Sequence, residues 1–467
     1  MSRALTDAII TRLQQLLAEL MPAGAQPSRH LWLGFSGGMD SALLAYALNL
    51  LVRQQPELRP WVHLVHVHHG LNRHADEWAA HCLGIAREYQ LDGQVLQVTL
   101  NRGARISVEA EARHQRYQAL SGLMHAGDIL LTAHHQDDQL ETVLLALKRG
   151  QGPKGLAAMG ALQPFAKQCW QLRPMLSISR DQIEQAVNQL DLDYVDDDSN
   201  LDTRYDRNFL RQQIIPELKQ RWPAVAETAA RSAALCAEQQ ALLEEVAAHK
   251  LAPLLRHCAL TQQAIVDIAA LAEFSPAWQR QLLRQFCLQQ QLPPPSQVQL
   301  QQLQQQLFGA QADANVALNF GNVWFRRFDG ALYIDAGAPA ATPSDLVLNP
   351  MQQQALLAGC WQLPQAAPWQ QLTATLNADG PRIALAKLNA KLEIRYGVSG
   401  SLRCHPHWRS QGRELKKVWQ EAKVPPWLRP RIPLLFANER LVAVAAVFVE
   451  QSALATTTDP GVKLQLH

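Results

Sequence analysis

The stretch LWLGFSGGMDSALLAYAL, residues 31 to 48, constrains the fold more than any other part of the chain. Leu31 to Phe35 is a short apolar run of buried-strand type, and residues 42–52 form an Ala- and Leu-rich stretch too long for one strand and suited to a helix. Between them lies Ser36-Gly37-Gly38-Met39-Asp40-Ser41. The glycines permit positive φ and a close approach of a ligand to the backbone, and the amides that follow are the unpaired donors of a helix N-terminus, where anions bind well. This is a phosphate cradle. Asp40 adds a condition, because a carboxylate repels a phosphate unless a cation lies between them, and Mg²⁺ suits both. The same residues also fit an ordinary tight turn in which Asp40 caps the helix.

From residue 31 to about 200, strand-like and helix-like segments alternate, which predicts a doubly wound parallel α/β sheet. Strands are expected at 31–35, 62–68, 94–100 and 128–133, with helices at 75–89, 108–124 and 136–147. Residues 1–21 predict an amphipathic helix, with Ile9, Ile10, Leu13, Leu16, Leu17 and Leu20 on or near one face. In such sheets the ligand sits beyond the carboxyl ends of the strands. That rule gathers Ser36–Ser41, His68-His69-Gly70 and His134-His135 at one rim.

Beyond Pro216 the texture turns helical, over 225–247 and 278–307 with a break at Pro293-Pro294-Pro295. The Gln-rich 297–306 keeps Val298, Leu300, Leu303 and Leu307 at partly helical spacing, so it reads as a helix with a polar face. A small β-meander follows at 316–320, 323–328 and 331–334, then a linker over 336–350. The remainder, ending in an apolar strand at 441–449, reads as a small α/β domain. The expected domains are therefore 1–218, 219–345 and 346–467.

No apolar run approaches the roughly 20 residues of a membrane span, and the N-terminus lacks a signal-peptide pattern, so a soluble cytoplasmic protein is expected. The seven cysteines are dispersed and never spaced as C-x-x-C, which argues against a disulfide framework and against zinc or iron–sulfur sites. Overall charge is close to balanced. Residues 401–431, however, carry eight basic against two acidic side chains, a local net charge of +6 that suits a polyanion-binding surface.

Three further motifs bear on chemistry. In LLTAHHQDDQLET, residues 130–142, a strand ends in His134-His135 and a helix carries Asp137, Asp138 and Glu141 at i,i+3 and i,i+4 spacing. Acidic capping of the helix explains one of these carboxylates; three beside two histidines also suit metal binding or proton transfer to an amine. In VEAEARHQRYQAL, Arg113 and Arg116 lie three apart, either on a solvated face with Glu109 paired to Arg113, or as phosphate ligands if the loop is near. RYDRNFLRQQIIPEL places Arg207, Asn208 and Arg211 at the start of a helix. Gly150 to Gly155 matches G-x-G-x-x-G but follows a helix rather than a strand, which rejects a dinucleotide fingerprint.

Taken together, S-G-G-x-D-S at 36–41, HVHHGL at 66–71, AHHQDDQLET at 133–142, KRGQGPKGLAAM at 148–159, DDDSN at 196–200 and DRNFLR at 206–211 resemble the bacterial tRNA(Ile)-lysidine synthetases. These belong to the N-type ATP pyrophosphatases of the PP-loop superfamily. GRELKKVWQEAKVPPWLRPRIPLL resembles that family's terminal domain, and the resemblance runs over about 31–450. It implies a PP-loop sheet followed by a helical domain and a small terminal domain. It also implies ATP-dependent ligation of free L-lysine to carbon 2 of the wobble cytidine of CAU-anticodon tRNA(Ile). By resemblance, Ser36, Gly37, Gly38, Met39, Asp40 and Ser41 bind ATP, and Asp40 holds Mg²⁺. Arg113 stabilises the adenylate phosphate or pyrophosphate, while Asp138 and Glu141 bind lysine and accept its proton beside His69 and His135. Arg207, Arg211, Arg413, Lys416 and Lys417 contact the tRNA; a homodimer is compatible with all of this. Residues 1–30 precede the resembling core without an assigned role, and RSQGRE at 409–414 carries one glycine where the family pattern leads one to expect two. The alternatives are a tRNA cytidine thiolase using the same loop, which the absence of C-x-x-C disfavours, and an RNA-binding protein with a dead nucleotide fold, which the intact Ser36, Asp40, Asp138 and Glu141 disfavour.

Overall fold

The computed structural model describes residues 2–20, 29–70, 72–99, 108–196, 202–309, 316–337, 341–358, 361–362, 368–369, 371–376, 379–456 and 459–467. Two units emerge, Met1–Leu243 and Glu244–His467.

The first unit is built on a six-stranded sheet in the order β3-β2-β1-β4-β6-β5. Its strands are β1 (Leu31–Gly34), β2 (Val62–His68), β3 (Asp92–Gln97), β4 (Ile129–Leu131), β5 (Leu162–Phe165) and β6 (Cys169–Leu172). All pairings are parallel except β5 with β6. The helices that pack around it include α1 (Ser2–Leu20), α2 (Met39–Gln54), α3 (Ala75–Glu88), α4 (Val108–Leu123), α5 (Gln136–Lys148), α6 (Pro153–Leu156) and α7 (Arg180–Leu190), and Asp206–Phe209, Ile215–Arg221 and Val225–Leu251 follow in the chain. The central strands are apolar throughout because both faces are covered: Leu33, Ile129, Leu130 and Leu131 are fully buried. Strand order reverses between β1 and β4, so the crevice at their carboxyl ends is the topological switch point. The predicted strands and helices recur within a few residues; Leu100, Leu71 and residues 197–200 of the quoted motifs lie outside the described residues. β5, β6 and α7 were not predicted, since QPFAKQCWQL is short and mixed in polarity.

The N-terminal helix acquires a function in packing. Ile9, Ile10, Leu13 and Leu16 of α1 share a core with Leu43, Leu44 and Leu48 of α2 and Ile183 and Val187 of α7. Burying each such aliphatic side chain stabilises by about 1.5–3 kcal/mol as an upper bound. α1 therefore holds down the helix that starts directly after the Ser36–Gly38 turn.

In the second unit a five-stranded antiparallel sheet contains the expected meander, now Ala317–Phe320, Val323–Phe328 and Ala331–Ala336, extended by Leu255–His257 and Ala264–Asp267. Helices Pro276–Gln289 and Gln297–Gly309 pack on it through Leu282, Phe286, Leu300 and Leu303. The terminal segment carries three more antiparallel sheets, of five, four and two strands, with helices Pro350–Leu357 and Leu415–Glu421. Part of the expected linker is sheet: Leu346–Val347 pairs with Leu392–Arg395, because Leu346 and Leu348 have an apolar core to enter. The single expected strand at 441–449 is two, Arg440–Val444 and Phe448–Val449.

Candidate active site

The loop after β1 is shaped by Gly37, whose φ of +84° only glycine adopts freely. A Cβ there would lie 2.9 Å from Val195 Cγ2 and 3.1 Å from Cys82 Sγ. The Gly37 carbonyl accepts from the Val195 amide at 2.9 Å, which ties the loop to the chain after α7. Ser41 Oγ donates to the Gly38 carbonyl at 2.9 Å and lies 3.1 Å from Ser36 Oγ. α2 then begins at Met39, presenting its first-turn amides at the switch point.

Asp40, in that first turn, faces His135 across the crevice, with Oδ2 3.7 Å from His135 Nε2. Its Oδ1 is buried and makes no hydrogen bond. Burial pushes this carboxyl above its ordinary range; His135 pulls against the shift and Asp138 adds to it. An orphaned carboxylate oxygen at a phosphate loop fits a hard cation. Among the described residues no group of three or more His, Cys, Asp or Glu side chains forms a metal cage, so such a cation would draw most of its ligands from phosphates and water.

The acidic cluster is sorted by its partners. Asp137 points away from the crevice: Oδ2 accepts from the Arg180 amide at 2.9 Å, at the first turn of α7, and Oδ1 pairs with Lys219. It is a structural cap. Asp138 Oδ2 accepts from its own helix's His135 amide at 3.0 Å, and Oδ1 accepts from Arg211 Nη2 at 3.1 Å. Arg211 Nε donates to Glu141 Oε1 at 2.7 Å, so one guanidinium bridges the two carboxylates. Glu141 is 1% exposed and its Oε2 has no partner. Burial outweighs Arg211 and raises the Glu141 carboxyl, with Asp138 adding to the rise. At Asp138 burial acts in the same sense but loses to His135, His134 and Arg211, and the carboxyl sits below its ordinary range. The two therefore differ in proton affinity although they share a cation.

Arg211 lies in a π-helical stretch, Leu210–Ile214, just before Pro216, which has no N–H to continue the ladder. The family resemblance implies an RNA contact for Arg211; the fold puts its guanidinium on Asp138 and Glu141. Arg207 is near enough to lower the proton affinity of His134. Arg113 sits over the Tyr117 ring at 5.1 Å and acts on His134 as well. His69 lies at the same rim, held by Arg116 at 3.3 Å; burial first, then Arg116, brings its pKa down to about 4. Arg180 and Lys219 had no signal in sequence. Arg180 contributes its amide to Asp137 and its charge to Asp40. The Gly150–Gly155 loop follows α5 and precedes the four-residue α6, outside any strand–helix turn.

Family models match three parts of the chain: a PP-loop domain at residues 5–218, a TilS substrate binding domain at 267–333 and a TilS substrate C-terminal domain at 392–466. The chain is 46% identical to the tRNA(Ile)-lysidine synthase of Shewanella oneidensis over 443 residues, which cover 93% of this chain and 94% of that one. It is 37% identical to the tRNA(Ile)-lysidine synthase of Yersinia pseudotuberculosis over 470 residues, 97% of each. The chain belongs to the tRNA(Ile)-lysidine synthase family. Among solved structures, the U34-tRNA thiolase NcsA from Methanococcus maripaludis aligns at a TM-score of 0.38 and 18% identity, over 48% of this chain and 77% of that chain. The family is one of enzymes with an ATP-binding PP-loop domain, and that domain's match begins within α1, so residues 5–30 are part of it. No described helix is long and apolar enough to cross a membrane.

In the family's C-terminal domain the basic residues differ in availability. Arg413 and Arg409 share Glu421, Lys416 pairs with Glu414 at 3.1 Å, and Lys417 is exposed on helix Leu415–Glu421.

Proposed function

We propose that this enzyme makes lysidine in two steps at the β1/β4 crevice. ATP transfers its adenylyl group to the C2 carbonyl oxygen of the wobble cytidine of CAU-anticodon tRNA(Ile), releasing pyrophosphate. The ε-amine of free lysine then attacks C2, loses a proton, and AMP leaves with the former carbonyl oxygen. Oxide is a poor leaving group, which is why the oxygen is first made part of a phosphate ester.

The amides after Ser36 bind the ATP phosphates, and Arg113 stabilises the phosphoryl charge. Asp40 would hold Mg²⁺, which when bound neutralises phosphate charge. Asp138 and Glu141 bind the lysine ammonium, and Glu141, already raised by burial, accepts its proton. His69 and His135 line the substrate, while Arg207, Arg413, Lys416 and Lys417 meet tRNA phosphates. Expected domains 1–218, 219–345 and 346–467 are retained as catalytic, substrate-binding and terminal tRNA-binding parts of a cytoplasmic protein. The observation that carries the reading is the buried Asp138–Glu141 pair facing the phosphate loop through His135 and Asp40.

The test is purified protein with ATP, radiolabelled lysine and mixed tRNA, scored for label in RNA. Glu141→Gln should raise the Michaelis constant for lysine by ~5–30-fold, the equivalent of about 1–2 kcal/mol for a lost charge-assisted bond, while tRNA-dependent pyrophosphate release changes less. Label that never enters RNA while a sulfur donor does would replace ligation with thiolation.

A further inference from the structure

We propose that His134 is a fixed hydrogen-bond donor to a phosphoryl oxygen of the nucleotide, locked in one tautomer from behind by Arg173. The proposal rests on the reading that ATP is cleaved in this crevice.

Four side chains at the ends of β4 and β6 close a ring. Arg173, which follows β6 and is 3% exposed, donates through Nη2 to Gln171 Oε1 at 2.6 Å, through Nη1 to the Gly160 carbonyl at 2.8 Å and through Nε to His134 Nδ1 at 3.3 Å. Gln171 Nε2 donates to Thr132 Oγ1 at 3.0 Å, and Thr132 Oγ1 lies 2.9 Å from His134 Nδ1. The hydroxyl can serve His134 in either sense. The guanidinium cannot, since it has five donors and no acceptor. Nδ1 must therefore present its lone pair, which leaves the ring proton on Nε2. A second proton would set Nδ1–H against the guanidinium N–H.

His134 is thus neutral and donates only, which removes it as a base for lysine and leaves that task to the carboxylates. Burial, joined by Arg173, Arg113 and Arg207 and opposed by Asp138, brings its pKa down to about 3. The charges that reach it are three guanidiniums against one carboxylate, so the oxygen that Nε2–H meets most favourably is anionic. Among the described residues no carboxylate pairs with Arg173, and a buried cation left without one favours an anion nearby. A neutral donor also keeps its proton over the pH range in which the lysine amine must lose one. The lock lets transfer quicken with pH at no loss of phosphoryl binding.

Nitrogen-15 histidine spectra of the full chain, with the His134 signal identified by its loss in His134→Gln, should show protonated Nε2 and bare Nδ1, unchanged from pH 8 to pH 5. His134→Ala should slow tRNA-dependent pyrophosphate release by ~10²–10³-fold, as for loss of one preorganised donor, with the lysine Michaelis constant little changed; His134→Gln, which keeps an N–H, should recover part of the rate. With ATP carrying sulfur at one non-bridging α-position, one diastereomer should react slowly in the unsubstituted enzyme and lose that handicap in His134→Ala. Arg173→Gln, whose amide can turn to accept, should give pyrophosphate release a new titration between pH 5 and 7. The proposal falls if His134 titrates between pH 5 and 8 in the unsubstituted protein, if His134→Ala matches its rate, or if the sulfur effect is equal in both. Failure of the underlying reading shows separately, as no tRNA-dependent pyrophosphate release by the unsubstituted protein.

Discussion

Replacing Arg211 with Met removes the guanidinium that bonds to both Asp138 and Glu141, in a place where Glu141 is almost wholly buried. Deleting one partner of a buried ion pair costs about 3–5 kcal/mol. Arg211 keeps 31% of its side chain in solvent, so part of that attraction is screened and ~2–3 kcal/mol is the working figure. For a unit of this size a kilocalorie moves the melting temperature by about 2–4 °C, which gives a fall of roughly 4–12 °C at neutral pH. The loss has a pH signature. Without the guanidinium, two carboxylates one helical turn apart resist joint ionisation, so the pair's upper pKa rises above the unfolded value of about 4.3. A raised native pKa gives stability that is complete below the unfolded pKa and lost as pH climbs through the native one. The gap between variant and parent should be small near pH 5 and widen towards pH 8, as measured by thermal melts in matched buffers. A gap level across that range, or below ~2 °C at pH 8, would refute the assignment of Arg211 as the shared counter-ion.

Asp40→Ala should abolish tRNA-dependent pyrophosphate release while tRNA binding by filter retention stays near that of the parent; normal release would remove the metal role. Gly37→Ala forces a left-handed alanine at ~1–2 kcal/mol and a Cβ into contact with Val195 and Cys82, so it should lower both the melting temperature and ATP affinity in calorimetry. For the basic terminal helix, Lys417→Gln should flatten the plot of log affinity against log salt by somewhat less than about one unit. Arg413→Gln should flatten it less, since Arg413 must first leave Glu421; equal slopes would show that the ion pair does not persist in solution.

The strand, glycine turn and helix at 31–52 were legible in sequence because each depends on local chemistry: an apolar run, two residues free of Cβ, an Ala- and Leu-rich helix. So was the rim that gathers Ser36, His69 and His135, since parallel α/β topology sends every loop after a strand to the same side. What the tertiary structure alone decided was which neighbour each charge meets. Asp137 and Asp138 are adjacent and chemically identical, yet one caps α7 and pairs with Lys219 while the other turns into the crevice, because successive helical positions point about 100° apart and only packing decides which direction is inward. Arg211 meets Asp138 and Glu141 only because the segment ending at Arg221 folds back on α5. Arg173 and the α7 amide at Arg180 carried no motif, as each acts across more than thirty residues of chain. Local pattern specifies which groups are available at the site; their pairing, burial and proton affinities arise only when distant segments close around one another.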